Sequence, residues 1–337
     1  MPIDSIDDYF SHWGANSPKP FKAETEFTQE SIPARITMGR FIALERHLSF
    51  DQKRFALDQH SYFAQKLQKR RIQSLKRIRN LLYNSWNTEY LLRMSDRQSE
   101  DYLRIALHWS FPQAYYCIYL NMNAFFTAKS IHCKTHDALI RQFASLVEHK
   151  AYPEAISFFL TGELQVPDFQ SLPQYNPNLK NVELSPIQNI EEADTSIGNF
   201  LLTTRRHKAK QIKEDRQARK RTAIKTKEGN IRKQFAREHW KVITDKMGST
   251  TLLDLLYRLR IKANYQEVDS FIQGEINCRP FYAALRELVA YLNFVHESYT
   301  ARIIGLDEFT KIVEEFPGRK EQRFVEHRLN KRIRPLF

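Results

Sequence analysis

The chain has little glycine, little cysteine and no long apolar run, and each shortage removes a class of protein. Nine glycines in 337 residues are too few for folds built on glycine turns, such as β-sandwiches, propellers and dinucleotide-binding sheets. The three cysteines, Cys117, Cys133 and Cys278, are widely spaced and form no CxxC pair. Neither a zinc knuckle nor a disulfide framework is expected of them, and each reads as a small buried hydrophobe in a reducing compartment. No stretch approaches roughly 18 uncharged apolar residues, so no membrane span is expected. The opening MPIDSIDDYFSHWG is acidic and mixed, unlike a secretory leader. A cytoplasmic protein without a membrane partner is the expectation. GxxxxGK[ST], GxGxxG and GxSxG strings are missing too, which argues against P-loop and nucleophile-elbow chemistry. No cofactor and no metal site are expected.

Aromatics and positive charge are plentiful. The 23 Phe, 15 Tyr and 4 Trp can bury enough area to offset chain entropy, so the chain should fold. With 52 Lys and Arg against 39 Asp and Glu the formal net charge is +13, and it is unevenly spread. Fifteen basic residues and four acids lie between Arg205 and Lys241. Seven basic residues and no acid lie between Asp58 and Glu89. The run from Pro317 to Phe337 has seven basic residues and two acids. The remainder is acidic, near −10. Charge concentrated in strips attracts phosphate backbones by counterion release. The predicted contacts are Arg205, Arg206, Lys208, Lys210, Arg216, Arg219, Lys220, Arg221, Arg232 and Lys233, with Lys69, Arg70, Arg71, Lys76 and Arg77 from the earlier strip. Phe235 is the only aromatic between Arg205 and Arg237, so base stacking is not expected along that arm.

Hydrophobic periodicity predicts an all-α protein. Residues 1–35 carry four prolines and read as an irregular N-terminal arm. Residues 36–150 form the first part of a helical bundle. Leu44, Leu48, Phe55, Tyr62, Leu67, Ile72, Leu75, Ile78 and Leu82 mark one or two amphipathic helices with a basic outer face. A central helix apolar nearly all round follows, carrying Ala114, Ile118, Met122 and Phe125, with Pro112 in its first turn. Thr135 is placed to cap the next helix, with Asp137 in its first turn. An insertion over 151–248 comprises an acidic, proline-rich excursion to residue 200, then a basic helical arm interrupted near Gly229-Asn230. The bundle resumes over 249–316. Thr251 and Asp254 have capping-box spacing there, and Phe281, Leu285, Leu288, Leu292, Val295 and Tyr299 mark the most regular helix. Residues 317–337 read as a basic tail.

Two segments carry a family likeness. Ala114-Tyr115-Tyr116-Cys117-Ile118-Tyr119, then Lys134-Thr135-His136 with Leu139, Ile140 and Phe143, resembles the signature of the HEPN superfamily of helical domains. Leu256 to Tyr265, LYRLRIKANY, is similar to a later helix of that family. The resemblance implies an up-and-down bundle of four to five helices, interrupted here by the basic insertion, and a homodimer. It also implies a place in prokaryotic defence or toxin–antitoxin systems, with RNA ahead of DNA as the nucleic acid. Some members are metal-independent RNases that use Arg-x(4–6)-His, a guanidinium for the phosphate and an imidazole for the proton. Arg40 with His47 and Arg232 with His239 have that spacing, and they are the candidate catalytic pairs. His296-Glu297 lacks the second histidine of HExxH. The alternatives to nucleic-acid binding are therefore such an RNase, or a scaffold whose acidic stretch 151–200 wraps a partner protein or folds back over the basic arm.

Overall fold

The computed structural model describes residues 32–70, 72, 74–95, 97–219, 221–265, 278–318 and 320–337, the side chains of 262–265 excepted. Helix accounts for 68% of it and strand for 4%, so the fold is all-α. In chain order the helices are α1 (Ile32–Phe50), α2 (Leu75–Ser95), α3 (Glu100–Ala128) and α4 (His136–Glu148). After strands β1 (Phe159–Gly162) and β2 (Pro167–Gln170) come α5 (Ile190–Ala218), α6 (Arg237–Thr244) and β3 (Thr250–Thr251). Then follow α7 (Leu252–Tyr265), α8 (Arg279–Ile304), α9 (Leu306–Glu314) and α10 (Arg323–Arg328). The predicted irregular arm ends early, because α1 starts at Ile32; residues 1–31 lie outside the described residues.

Local chemistry explains most boundaries. Ser99 accepts from the Tyr102 amide at 3.3 Å, and Glu100 and Asp101 follow it in the first turn of α3. That cap starts the helix 12 residues ahead of Pro112, so Pro112 lies inside α3 and not in its first turn. The helix tolerates it because its neighbours are buried and tied: Ser110 is bonded to the Ala106 carbonyl and to Tyr282 Oη. Thr135 caps α4 by accepting from the Ala138 amide at 3.1 Å. Asp254 reaches back to the Thr251 amide at 2.9 Å and to its hydroxyl at 3.1 Å, as the capping-box spacing predicts.

One hydrophobic core joins nearly all of these elements. α3 lies centrally, packed on α2, α7 and α8, and α8 also packs on α1. The predicted stripe of α8, from Phe281 to Tyr299, is entirely buried, as are all three cysteines. Two of the expected boundaries give way. The proline-rich stretch is partly folded, since Ala155, Ile156, Phe158 and Leu160 join the core and α5 begins at Ile190. The segment 317–337 is no tail: Phe324, Val325, Arg328, Leu329 and Ile333 are buried. A Cβ at Gly39 would run into the Glu183 carbonyl, so α1 packs backbone to backbone on the turn at 182–184. β1 pairs antiparallel with β2 and with β3, in the order β2-β1-β3. No described helix is long and apolar enough to cross a membrane.

Arg328 stands at the centre of a polar network inside this core. Its guanidinium donates to both oxygens of Glu89, at 2.9 and 3.0 Å, and to both oxygens of Glu297, at 2.8 and 2.7 Å. Arg93 and Asn293 add donors to Glu89. Trp86 Nε1 and Asn121 Nδ2 add donors to Glu297, at 2.8 and 2.9 Å. Elements distant in sequence are thus held by one bidentate ion cluster.

A second charged cluster lies between α1 and α8. Glu45 sits 3.7 Å from Arg46, and Glu287 sits 3.5 Å from Arg286. Burial pushes the Glu45 carboxyl from 4.5 to about 7 despite Arg46, with Glu287 adding repulsion. A carboxyl that holds its proton more tightly when folded contributes fully below about pH 4.5, and its contribution is lost as pH rises through 7. Glu45→Gln is expected to raise stability by about 1–2 kcal/mol at pH 8 and to leave it unchanged at pH 4. Urea midpoints at the two pH values check this, and equal shifts at both would contradict it.

Candidate functional site

The sequence-predicted contacts separate into structural and exposed residues. Arg205 is 2% exposed. It donates to Gly162 O at 3.2 and 2.7 Å, to Leu160 O at 3.4 Å, to Gly248 O at 2.8 Å and to Thr250 Oγ1 at 3.4 Å. It pins α5 to β1 and β3, so Arg205 is corrected from phosphate contact to internal tie. Lys208 is taken by Asp254 at 2.8 Å, and Arg216 Nε by the Thr222 carbonyl at 2.8 Å. Arg206, Lys210, Arg219, Arg221 and Lys233 are exposed on the arm, and Lys69, Arg70, Lys76 and Arg77 on the earlier strip. Arg71 and Lys220 lie outside the described residues.

The arm is a folded unit and not one long helix. α5 ends at Ala218, a turn follows with Gly229 at φ +81°, and Lys225 bridges Ile231. Gln217 orders this turn by bonding Ile224 N and O and Arg232 O at 2.6–3.2 Å. Ala209, Ile243 and Met247 form a small separate core with Leu164, Ile212, Phe235 and Trp240 packed on it. Lys213 lies over the Phe235 and Trp240 rings, at 4.7 and 5.4 Å. The acidic excursion does fold back here: Glu163 pairs with Arg237 at 2.7 Å and Lys241 at 3.8 Å.

The candidate catalytic pair Arg40 and His47 is engaged inside the fold, and Arg232 and His239 lie on different elements. His47 is buried with its Nδ1 2.7 Å from Asp194, and Asp194 also accepts from the Gln174 amide. Arg40 lies 3.8 Å from Glu183 and over the Phe200 ring. Both residues are spent on packing α1 against α5. Arg232 and His239 do not share a helix. His239 Nδ1 accepts from the Ala236 amide at 3.1 Å to start α6, while the Arg232 amide and carbonyl are tied into the turn before it. His296 is fully buried beside Tyr152 Oη at 3.0 Å, and burial depresses its pKa to about 3.

The chemistry that does gather at the surface lies where α3, α4 and α7 meet. Tyr115, Tyr116 and Tyr119 come from α3, His136 from the start of α4, and Tyr257 and Arg260 from α7. Tyr115 Oη lies 2.9 Å from His136 Nδ1. Arg260 donates to Tyr116 Oη at 2.6 Å, and its guanidinium lies over the rings of Tyr115, Tyr116 and Tyr257 at 5.1–5.4 Å. The His136 ring is 4.4 Å from that of Tyr119. Burial, and then the neighbouring Arg260 charge, lower the His136 pKa. Burial raises the phenols of Tyr115 and Tyr119, and Arg77 is close enough to act against that rise at Tyr119. Tyr116 is 40% exposed. Arg77 borders this flank and, with Lys76 on the first turn of α2, lines a surface depression together with Ser74, Asn80, Leu81 and Asn84.

The helix α7 joins this cluster to the arm. Tyr257 and Arg260 meet the tyrosines of α3, while Arg258 donates to Thr203 and Thr204 of α5 at 3.0 and 2.9 Å, and Asp254 holds Lys208. No family model, curated protein or solved structure matches the chain.

Proposed function

We propose that this protein binds nucleic acid, with the basic arm and the start of α2 on the phosphate backbone. The observation that carries the reading is the joint placement of exposed cations and aromatic rings: Arg77, with Lys76 lining the same depression, is close to Tyr119, and the arm that presents Arg206, Lys210, Arg219, Arg221 and Lys233 is anchored to the same α7 that carries Arg260. The segments that resemble HEPN helices, 114–119, 134–136 and 256–260, come together at that cluster, and RNA is the first nucleic acid to test. Metal-independent cleavage draws less support from its sequence candidates, since Arg40 and His47 are engaged in packing and Arg232 and His239 do not share a helix, so binding is the stronger reading.

A salt titration tests it. Affinity for RNA should fall steeply between about 50 and 200 mM salt, and each phosphate contact removed should flatten the slope by about 0.7–0.9. Replacing Arg206, Lys210, Arg219, Arg221 and Lys233 together by glutamine should weaken binding across all sequences alike. An affinity indifferent to salt, or to those five changes, would sink the proposal.

A further inference from the structure

We infer that the tyrosine cluster around Arg260 is a stacking site for an unpaired base of a single-stranded nucleic acid, placed beside the phosphate-binding cations. The inference rests on the nucleic-acid reading and narrows it to a substrate class. An aromatic cluster of this kind has two common uses, a cage for a cationic ligand or a platform for a flat one. The cage use is already filled from within. Arg260 lies over three of the rings and is fixed by Tyr116 Oη, so the rings that would enclose an ammonium group already face a guanidinium.

What remains open is a flat, partly exposed surface. Tyr116 is the most exposed of the rings, and the guanidinium it holds is itself a planar stacking surface. Tyr119 stands at 83° to Tyr116, and His136 at 67°, so the two form a wall beside the platform. The His136 Nε2 forms no hydrogen bond among the described residues, which leaves one polar atom in that wall for a base edge or a 2′-hydroxyl. Arg77, close to Tyr119, and Lys76, which lines the same depression as Arg77, have no ion-pair partner among the described residues, so phosphates flanking a stacked base meet free positive charge. Bases inside a duplex are already stacked on their neighbours, and such a platform takes only a base that has left the helix. The arm, with Phe235 and Trp240 occupied by Lys213, offers no second platform.

Anisotropy with a labelled 12-mer oligoadenylate and a duplex of equal length, at one moderate salt concentration, tests the inference. Tyr116→Leu keeps bulk and removes the ring, and Tyr116→Phe keeps the ring and removes only the bond to Arg260. Tyr116→Leu is expected to weaken oligoadenylate binding at least about tenfold and to leave the duplex affinity within twofold, with Tyr116→Phe close to the parent. Helical circular dichroism should be the same in all three. Wild-type binding to both ligands with Tyr116→Leu unchanged would overturn the stacking site and leave the nucleic-acid reading standing. Failure of the wild-type protein to bind either ligand would overturn both.

Discussion

Replacing Arg328 with methionine is expected to lower the folding free energy by about 3–5 kcal/mol, because it leaves Glu89 and Glu297 charged and buried without their shared partner. Both carboxylates are 0% exposed, and the remaining donors, Arg93, Asn293, Trp86 and Asn121, leave a surplus of negative charge. In a chain of this size the change should appear as a fall in Tm of about 4–7 °C. The triple variant Glu89→Gln, Glu297→Gln, Arg328→Met should recover much of that loss, since no uncompensated charge then stays inside. A single variant less than 1 kcal/mol below the parent in urea unfolding would refute the account.

The same network sets an acid limit. Burial alone would raise the Glu89 carboxyl, but Arg328 and Arg93, with the Arg328 and Asn293 hydrogen bonds, hold it at about 2. An acid with a depressed folded pKa contributes stability that is complete above its unfolded pKa near 4.5 and is lost as pH falls toward 2. In Arg328→Met burial meets less opposition and the folded carboxyl rises back toward its unfolded value, so the acid-linked loss should shrink.

The second large effect concerns Arg205. Arg205→Met should lower stability by about 2–4 kcal/mol, since the carbonyls of Gly162 and Gly248 each lose a charged donor in the interior. At a temperature where the variant is still folded, its nucleic-acid affinity and salt slope should equal those of the parent. That combination separates an internal tie from a phosphate contact. Reduced affinity at unchanged stability would mean that the side chain faces a ligand after all.

These two residues mark where sequence reading fell short, and for one reason. Both were counted as members of basic strips, yet each occupies an apolar helical position. Ile197, Leu201, Arg205 and Ala209 step by four along α5 and are all buried. Phe324 with Arg328, and Val325 with Leu329, are buried i, i+4 pairs on α10 and just past its end. Periodicity outranks charge in deciding which way a helical side chain points, and applied there it would have found both. The helical class, the burial of the α8 stripe, the Thr135 cap and the turn at Gly229 were legible because short-range spacing encodes them. The tyrosine cluster was half legible. Tyr115 and Tyr119 at i, i+4, and Tyr257 and Arg260 at i, i+3, each share a helix face. No local pattern states that two such faces, about 140 residues apart, meet around His136.

α5 is one continuous helix of 29 residues, a rod about 43 Å long, with one end in the main core and the other carrying the arm. Clamped at Arg205 and braced by Arg258 and Lys208, it works as a fixed prong and not as a hinge. The distance from its outer cations to Tyr116 is therefore built in before any ligand arrives. On the proposed nucleic-acid reading, such preorganisation would spare the complex the entropy of ordering the arm and make the protein a ruler: a strand too short to reach from prong to platform would engage one end only and forgo the multivalent gain.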